Sequence, residues 1–295
     1  MKAITTDFEY LPAKTAEEAL ELLSRHKDDD YKIIAGGQSL NTMMKHRLLT
    51  PEYIIDIKGI SELDYIKYDD KEGLKIGALT THRSIEKSEI VKERYSVLSE
   101  MEDVVASVET KNWGTVVGDL VNGDPAADPA PPLIALDASI TIASKDEKRT
   151  VPAEEFAVDF FETVVQPGEL VTEIQIPALP ANTGVCFTKY SQLKGDYALA
   201  SVAILLTLDD KKETCVNARI GLGGVGSTPL RAVNAEAVLK GKKLTEELFA
   251  QAAETATGEI SPITGIEASA DYKRELAGTL FKRVAKEALA RAQKA

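Results

Sequence analysis

The stretch YKIIAGGQSLNTMMK (31–45) predicts a strand, a glycine turn and a helix in succession, and it organises the first part of this chain. The strand is predicted at YKIIA (31–35), and the turn is AGGQS (35–39). Glycine allows the backbone to turn sharply and to approach a ligand closely. Successive backbone N–H groups in such a turn, placed before a helix, form a concave site for an anion such as a diphosphate. The alternative is a plain strand-to-helix turn that binds nothing.

The flanking segments complete a small α/β unit around this turn. Thr15 and Glu18 have the spacing of a capping box, and the apolar residues behind them keep helical intervals. A second strand is predicted at PEYIIDI (51–57), where the chain enters through a proline. A strand, a helix and a strand within about thirty residues make up such a unit.

The order of elements along the rest of the chain predicts an α+β protein. In the middle of the chain, strands are predicted at LKIGALTT (74–81), ASITIAS (138–144) and ELVTEIQIP (169–177), and a helical stretch rich in Glu and Lys follows the first of them to about residue 107. The run PALPANTG (177–184) is the predicted domain boundary. After it come three strands, VCFTKY (185–190), ALASVAILLTL (198–208) and TCVNARIGLGG (214–224), and then three helical stretches. The strand 198–208 is apolar on both faces and is therefore predicted to be central.

A second glycine turn is predicted at WGTVVGD (113–119). Gly114 and Gly118 bracket a short apolar segment, and Thr115 adds a hydroxyl donor. Two such turns can hold one diphosphate from two sides without a lysine.

The segment NGDPAAD (122–128) follows the second turn and brings Asp124 and Asp128 close to it in sequence. A buried carboxylate beside a sugar is a good acceptor for its hydroxyl groups. The alternative is a proline-rich loop that only caps helices.

Two other patterns do not predict sites. GLGGVG (221–226) has the G-x-G-x-x-G spacing after a strand, but a second helix follows where a dinucleotide-binding unit needs a strand ending in Asp or Glu. The histidines His26, His46 and His82 fall in separate predicted elements, and His82 is predicted to begin a helix. No catalytic constellation and no metal site are predicted.

Composition excludes several classes of protein. The chain has 47 Asp and Glu against 35 Lys and Arg, a net charge of −12, which argues against a nucleic-acid or anionic-membrane surface. Cys186 and Cys215 lie in apolar alternating runs and are predicted to be buried free thiols. No run of signal-peptide or membrane-span length occurs, so a soluble cytoplasmic protein is predicted.

Six stretches, taken in order, carry a family resemblance: AGGQSLNTMMKHRL (35–48), IGALTTHRSIEKS (76–88), NWGTVVGDLVNGDPAADPAPPLIALDA (112–138), PGELVTEIQIP (167–177), KGDYALASVA (194–203) and GGVGSTPLRAVNAEAVLKG (223–241). Together they resemble the FAD-binding medium subunit of the molybdenum hydroxylases, a family that includes xanthine dehydrogenase and carbon monoxide dehydrogenase. The resemblance covers nearly the whole chain.

The resemblance implies a fold of class α+β. Its first part is a two-subdomain FAD-binding fold of the vanillyl-alcohol oxidase (PCMH) type, with subdomains at 1–58 and 59–177. Its second part is a C-terminal α+β domain at 178–295, of the carbon monoxide dehydrogenase flavoprotein type, with a three-stranded antiparallel sheet and helices.

The resemblance also implies that the two glycine turns hold the diphosphate of FAD. The implied binding residues are Ile33, Ile34, Ala35, Gly36, Gly37, Gln38, Ser39 and Leu40 at the first turn, and Thr115, Val116, Val117, Gly118 and Asp119 at the second. Asp128 is implied to hydrogen-bond the sugar-like chain of the flavin, and Val171 and Lys189 to lie near its isoalloxazine ring. Tyr197 is implied to cover one ring face, with core packing as the alternative. Lys189 is implied to favour the anionic reduced ring electrostatically, with a surface position on a strand as the alternative.

The implied function is electron transfer within a three-component oxidoreductase. A large partner subunit holds a molybdenum–pterin cofactor, a small one carries two [2Fe–2S] clusters, and an external acceptor such as NAD⁺ takes the electrons. This chain needs no catalytic residue of its own, because the flavin performs the redox chemistry. Two alternatives remain: a free-standing FAD oxidoreductase, and a structural subunit with a weakened or lost flavin site.

The second turn departs from the usual family pattern, which has a pair of glycines followed by Asn or Ser. Val117 replaces the first of these glycines, and Asp119 replaces the neutral residue. A β-branched residue does not adopt positive φ readily, and a carboxylate repels a diphosphate. Trp113 adds bulk in the same turn. Weaker FAD binding or an altered pose is therefore expected.

Overall fold

The fold consists of strands and helices in three main sheets, seen in a computed structural model that describes residues 7–295. The strands are β1 Glu9–Pro12, β2 Tyr31–Ile34, β3 Tyr53–Asp56, β4 Ile66–Asp69, β5 Gly73–Gly77, β6 Ser139–Ala143, β7 Lys148–Pro152, β8 Ala157–Asp159, β9 Glu162–Thr163, β10 Leu170–Ile176, β11 Thr183–Tyr190, β12 Ala200–Leu208, β13 Cys215–Gly223 and β14 Leu230–Arg231. The helices are α1 Ala16–Arg25, α2 Leu40–Lys45, α3 His82–Lys87, α4 Glu89–Arg94, α5 Ser96–Glu102, α6 Val108–Trp113, α7 Val116–Asn122, α8 Ala130–Ala135, α9 Val233–Leu239, α10 Glu246–Glu259 and α11 Ala270–Lys294. Residues 1–6 lie outside the described residues. The predicted first subdomain and the predicted absence of a signal peptide both include these residues.

The first sheet is parallel, with the strand order β1-β3-β2. Helix α1 buries Ala19 and Leu23, and the Thr15 hydroxyl caps it by accepting the Glu18 N–H. The predicted capping box forms only in part, because the Glu18 carboxylate accepts the Lys14 N–H instead of the Thr15 N–H. The glycine turn follows β2, as the sequence predicted, and places α2 at the edge of this unit.

The second sheet is antiparallel, with the order β4-β5-β10-β6-β7, and helices α3 to α8 connect its strands β5 and β6. The predicted single helical stretch is instead three short helices, α3, α4 and α5. The break at Ser88 has a clear cause: this residue is extended, with ψ 119°, and its hydroxyl caps the next helix by accepting the Val91 N–H.

The third sheet is antiparallel, with the order β11-β12-β13-β14. Strand β12 is buried along its whole length, as predicted for a central strand, and its alternate residues enter two different cores. Ala203 and Leu205 belong to the core shared with the first two sheets, whereas Val202 and Ile204 pack in the core of the C-terminal helices.

The prediction of three strands in this sheet was incomplete, since β14 is a fourth. Its two residues are too short for an alternating pattern to reveal. The G-x-G-x-x-G segment does not begin a Rossmann unit: Gly221 and Gly223 belong to the antiparallel strand β13 and lie against Pro131. Both cysteines are free and buried, as predicted.

The three sheets fall in successive segments of the chain, within residues 9–56, 66–176 and 183–231. The division at residues 58 and 177 stays a prediction. Within residues 7–295, no helix combines the length and the apolar character that a membrane crossing requires.

Candidate functional site: a cavity between two glycine turns

A cavity of about 980 Å³ is lined by residues from β2, α2, α3, α6, α7 and β10 and from the loops beside them. Sites for small molecules and cofactors commonly have volumes of roughly 300 to 1,000 Å³. All of the predicted cofactor residues line this cavity except Val116 and Lys189. The structure therefore brings both glycine turns, Asp128, Val171 and Tyr197 to one place.

The two glycine turns touch each other at Gly36. A Cβ atom added at Gly36 would lie 2.0 Å from the Trp113 carbonyl oxygen and 2.8 Å from the Gly114 Cα. Gly37 has φ +71°, a conformation that side chains rarely adopt. Glycine is thus required at 36 by close approach and at 37 by backbone conformation, which explains the pair in the sequence.

The first turn offers a row of free donors to the cavity. The backbone N–H groups of residues 36–40 donate no hydrogen bond to any other residue in 7–295. The Ser39 side chain does not cap α2. Unpaired N–H groups are rare in folded proteins unless water or a ligand accepts from them. These free N–H groups agree with the predicted anion site, and the binding of a diphosphate there stays a prediction.

The second turn is the start of helix α7. The Thr115 hydroxyl accepts the Gly118 N–H at 2.9 Å, and the Val116 N–H bonds the Thr80 carbonyl. Asp119 donates its N–H to the Thr115 carbonyl. Three donors of this turn have no acceptor among the described residues: the Thr115 N–H, the Thr115 hydroxyl proton and the Val117 N–H. This turn therefore offers fewer donors than the first one.

Two expectations about the second turn were wrong. Val117 does not need positive φ, because it lies inside α7 in helical conformation and its side chain is buried. Trp113 does not crowd the cavity, since its side chain is 61 % exposed and only its carbonyl approaches Gly36. Val116 contributes its backbone to the turn while its side chain packs in the core.

Replacement of Thr115 by valine is expected to weaken both the fold and the binding of a diphosphate. The variant Thr115→Val keeps the shape of the side chain but removes the cap on α7, a loss of about 1 kcal/mol in the free energy of unfolding. It also removes a hydroxyl donor at the cavity, worth roughly another 1 kcal/mol of binding. Urea unfolding and a binding titration measure the two effects. Thr115→Ser is the matched control and should behave like the native chain; equal behaviour of the two variants would contradict the assigned role.

Lys189 is not among the residues that line the cavity, and its predicted position near the flavin ring stays a prediction. Its ammonium group is buried, 2.5 Å from Asp128 Oδ2, and it also bonds the Asp196 carbonyl oxygen at 2.8 Å. The alternative of a surface lysine is wrong, since the side chain is 3% exposed. Lys189 contacts two residues of the cavity wall, Asp128 and Asp196.

Asp128 presents an unpaired acceptor to the cavity. Its Oδ1 atom is buried and has no hydrogen-bond partner within residues 7–295. Burial raises the pKa of Asp128 to about 7, although the charge and hydrogen bond of Lys189 act to lower it. A buried oxygen without a partner is costly, and a hydroxyl group of a ligand would satisfy it. This agrees with the sugar-binding role predicted for Asp128.

Val171 and Tyr197 lie at other walls of the cavity. Val171 is buried in β10, where the pairing with β6 shifts register between Val171 and Glu173. Tyr197 is 52 % exposed, so it is not a core residue, and it also lines the cavity. Both positions suit an apolar or aromatic ligand group. Their contact with the flavin ring stays a prediction.

The sequence did not reveal a buried charged cluster next to the second turn. His82 begins α3, as predicted, but it is buried and its Nδ1 atom lies 3.0 and 3.1 Å from the two carboxylate oxygens of Glu102. Its Nε2 atom lies 3.8 Å from Asp119 Oδ2. The backbone N–H of His82 also donates to the Gly114 carbonyl oxygen, and this bond links the start of α3 to the second turn. Nothing in the local sequence around Glu102 marks it as the partner of His82.

These features fit FAD. The first turn supplies free N–H groups for a diphosphate, and the Asp128 Oδ1 atom supplies an acceptor for a sugar hydroxyl. Gly36 leaves room for the two turns to lie against each other, and the cavity volume suits a large cofactor. Residues 33–40, Thr115, Asp128, Val171 and Tyr197 would hold the cofactor.

Family models match both parts of the chain. Residues 6–179 match the FAD binding domain in molybdopterin dehydrogenase, and residues 186–288 match the CO dehydrogenase flavoprotein C-terminal domain.

Individual relatives match along nearly their whole length. The alpha subunit of the 6-hydroxypseudooxynicotine dehydrogenase complex of Paenarthrobacter nicotinovorans is 36% identical over 97% of this chain and 96% of its own. The medium chain of glyceraldehyde dehydrogenase from Sulfolobus acidocaldarius is 36% identical over 95% and 98%. A structure of carbon monoxide dehydrogenase from Hydrogenophaga pseudoflava, which lacks the Mo-pyranopterin moiety of its molybdenum cofactor, superposes with a TM-score of 0.92 at 37% identity, over 96% of this chain and 98% of that one.

Proposed function

The chain belongs to the FAD-binding medium subunits of the molybdenum hydroxylases, an oxidoreductase family, and from this premise we propose that it transfers electrons between partner subunits and an external acceptor. Electrons arrive from the [2Fe–2S] clusters of a small subunit and leave to an acceptor such as NAD⁺. Bound FAD supplies the redox chemistry, and this chain binds, orients and tunes it.

The observation that carries this proposal is the meeting of the two glycine turns at one cavity. The free N–H groups of residues 36–40 bind the diphosphate, and the Thr115 hydroxyl adds a donor from the other side. Asp128 accepts from the sugar-like chain, with Lys189 holding its other oxygen in place. Val171 and Tyr197 border the ring.

The proposed partners follow from the family. A large subunit holds the molybdenum–pterin cofactor and selects the substrate, and a small subunit carries the [2Fe–2S] clusters. Relatives named as a medium chain or as a subunit of a dehydrogenase complex support an assembly of this kind. The cytoplasmic location expected from the sequence stays a prediction.

The proposal is tested on the intact assembly, isolated through a tag on this chain and reduced anaerobically with dithionite. NAD⁺, ferredoxin, a quinone and oxygen are then added separately, and one of these acceptors should reoxidise the [2Fe–2S] clusters. Absorbance follows the reaction. Removal of FAD should stop this reoxidation, and its return should restore it. Clusters that reoxidise at the same rate without FAD would contradict the proposed path.

A further inference from the structure

Three ionisable side chains form a row that runs from the core to the cavity, and we refer to Glu102, His82 and Asp119 as the buried row. Glu102 is fully buried at the end of α5, His82 is buried at the start of α3, and Asp119 lies in the first turn of α7 with its side chain 16% exposed. Asp119 and His82 both line the cavity, whereas Glu102 lies behind His82. The row therefore places a carboxylate and an imidazole beside the site of a diphosphate.

The other charged groups around the buried row are already engaged. Lys111, from α6, donates to the Glu102 carbonyl at 2.8 Å and pairs with Glu86 of α3 at 3.0 Å. Lys189, from β11, pairs with Asp128. Asp124 accepts the Ala126 N–H. His82 is thus the basic side chain in contact with Asp119 among the described residues, and the charge of Lys189 adds a smaller compensation.

A negative carboxylate next to a diphosphate opposes its binding unless a positive charge or a proton compensates it. The backbone donors of the first turn carry no net charge. The imidazole of His82 can carry a proton at physiological pH, and its Glu102 partner favours the protonated form. The 3.8 Å separation between His82 Nε2 and Asp119 Oδ2 suits an ion pair.

We propose that a proton on the His82 ring compensates the negative charge of Asp119 in the second turn, so that binding of FAD is linked to proton uptake. This inference rests on the proposed function, since it assumes that the cavity binds the diphosphate of FAD. It makes His82 a positioning residue: it acts on the cofactor through Asp119, while the hydrogen bond to Glu102 fixes its ring.

The direction of the pH dependence follows from the pKa of each group. Burial acts to lower the pKa of His82, but the hydrogen bond to Glu102 and the negative charges of Glu102, Asp119 and Asp128 raise it overall. Burial also raises the pKa of Glu102 and that of Asp119. A nearby diphosphate raises these pKa values further, so the bound form holds more protons. FAD affinity is therefore highest at low pH and falls as pH rises above the pKa of His82 in the flavin-free chain, which lies above the ordinary histidine value of about 6.5.

The test is calorimetric titration of the full chain, freed of flavin, with FAD from mildly acidic to mildly alkaline pH. Repeating it in buffers of different ionisation enthalpy counts the protons taken up. The native chain should take up close to one proton per FAD on the alkaline side, and its Kd should rise by up to about tenfold per pH unit there. A Kd that does not change with pH, together with no proton uptake, would overturn the inference.

Variants of the buried row give a signature that loss of structure does not mimic. His82→Gln should flatten the pH dependence and leave weak binding, and adding Asp119→Asn to it should restore affinity. Asp119→Asn alone should move the pH dependence to lower pH and lower the pKa of the His82 ring, measured by NMR on the flavin-free chain. Asp103→Asn, at an exposed position that ends α5, is the matched control and should titrate like the native chain.

The outcomes distinguish failure of the proton linkage from failure of the proposed function. A pH profile in Asp119→Asn that coincides with that of the native chain would overturn the inference, even if His82→Gln does not fold. Tight binding without proton uptake would overturn the inference alone. Absence of FAD binding at every pH would overturn the proposed function and, with it, the proton linkage.

Discussion

Replacement of Gly36 by alanine is expected to reduce the affinity for FAD by roughly tenfold to a hundredfold. The added Cβ atom would lie 2.0 Å from the Trp113 carbonyl oxygen and 2.6 Å from its carbonyl carbon. Both are backbone atoms that cannot rotate away, so the two turns must separate. Overpacking of this kind costs about 1 to 3 kcal/mol, and in Gly36→Ala the movement also displaces the donors of the first turn from those of the second. Fluorescence titration with FAD measures the loss.

Gly258→Ala is the matched control for this prediction. Gly258 lies in α10, and a Cβ atom added there meets no atom within 4 Å. The control should bind FAD like the native chain and gain about 0.5 to 1 kcal/mol in the free energy of unfolding, since alanine favours a helix. Binding by Gly36→Ala within a factor of three of the control would show that the contact between the turns does not shape the site.

Replacement of Lys189 by methionine is expected to be the most destabilising single change at the site. It leaves the buried carboxylate of Asp128 without its partner, and removal of one member of a buried ion pair costs about 3 to 5 kcal/mol. The loss should grow with pH. Asp128 has a pKa of about 7 in the folded chain, above its ordinary value, so folding favours its neutral form. Lys189 lowers this pKa through its charge and its hydrogen bond. Without Lys189 the pKa of Asp128 is raised further, and ionisation of Asp128 at alkaline pH opposes folding more strongly.

Urea unfolding on the acidic and alkaline sides of neutrality measures this effect. Lys92→Met is the control, because its ion pair with Glu89 is exposed and contributes little. The double variant Lys189→Met with Asp128→Asn should recover most of the lost stability, because no buried charge remains. A loss in Lys189→Met no larger than that in Lys92→Met, at either pH, would contradict the role of the pair.

The first turn could be predicted from the sequence because its requirements are local. Two adjacent glycines after a strand and before a helix specify a tight turn with free N–H groups, and the structure has that turn at Gly36 and Gly37. The second turn was located correctly but its conformation was not. Whether residue 117 has positive or helical φ depends on where α7 begins, and the Thr115 cap sets that point.

The charged contacts behind the cavity could not be predicted, because they depend on packing between distant segments. Glu102 reaches His82 through the packing of α5 against α3. Lys189 reaches Asp128, in the segment between α7 and α8, from strand β11 of the third sheet. Each of these side chains taken alone is typical of a solvated helix or strand. Only the assembled core shows that they are buried and paired.

The FAD content of the intact assembly shows whether this chain binds flavin. The assembly is isolated through this chain, its absorption spectrum is recorded, and the released chromophore is identified by mass. We expect one FAD for each copy of this chain, and loss of that flavin when Gly36→Ala replaces the native chain. An assembly that contains no flavin, even after incubation with excess FAD, would contradict this expectation.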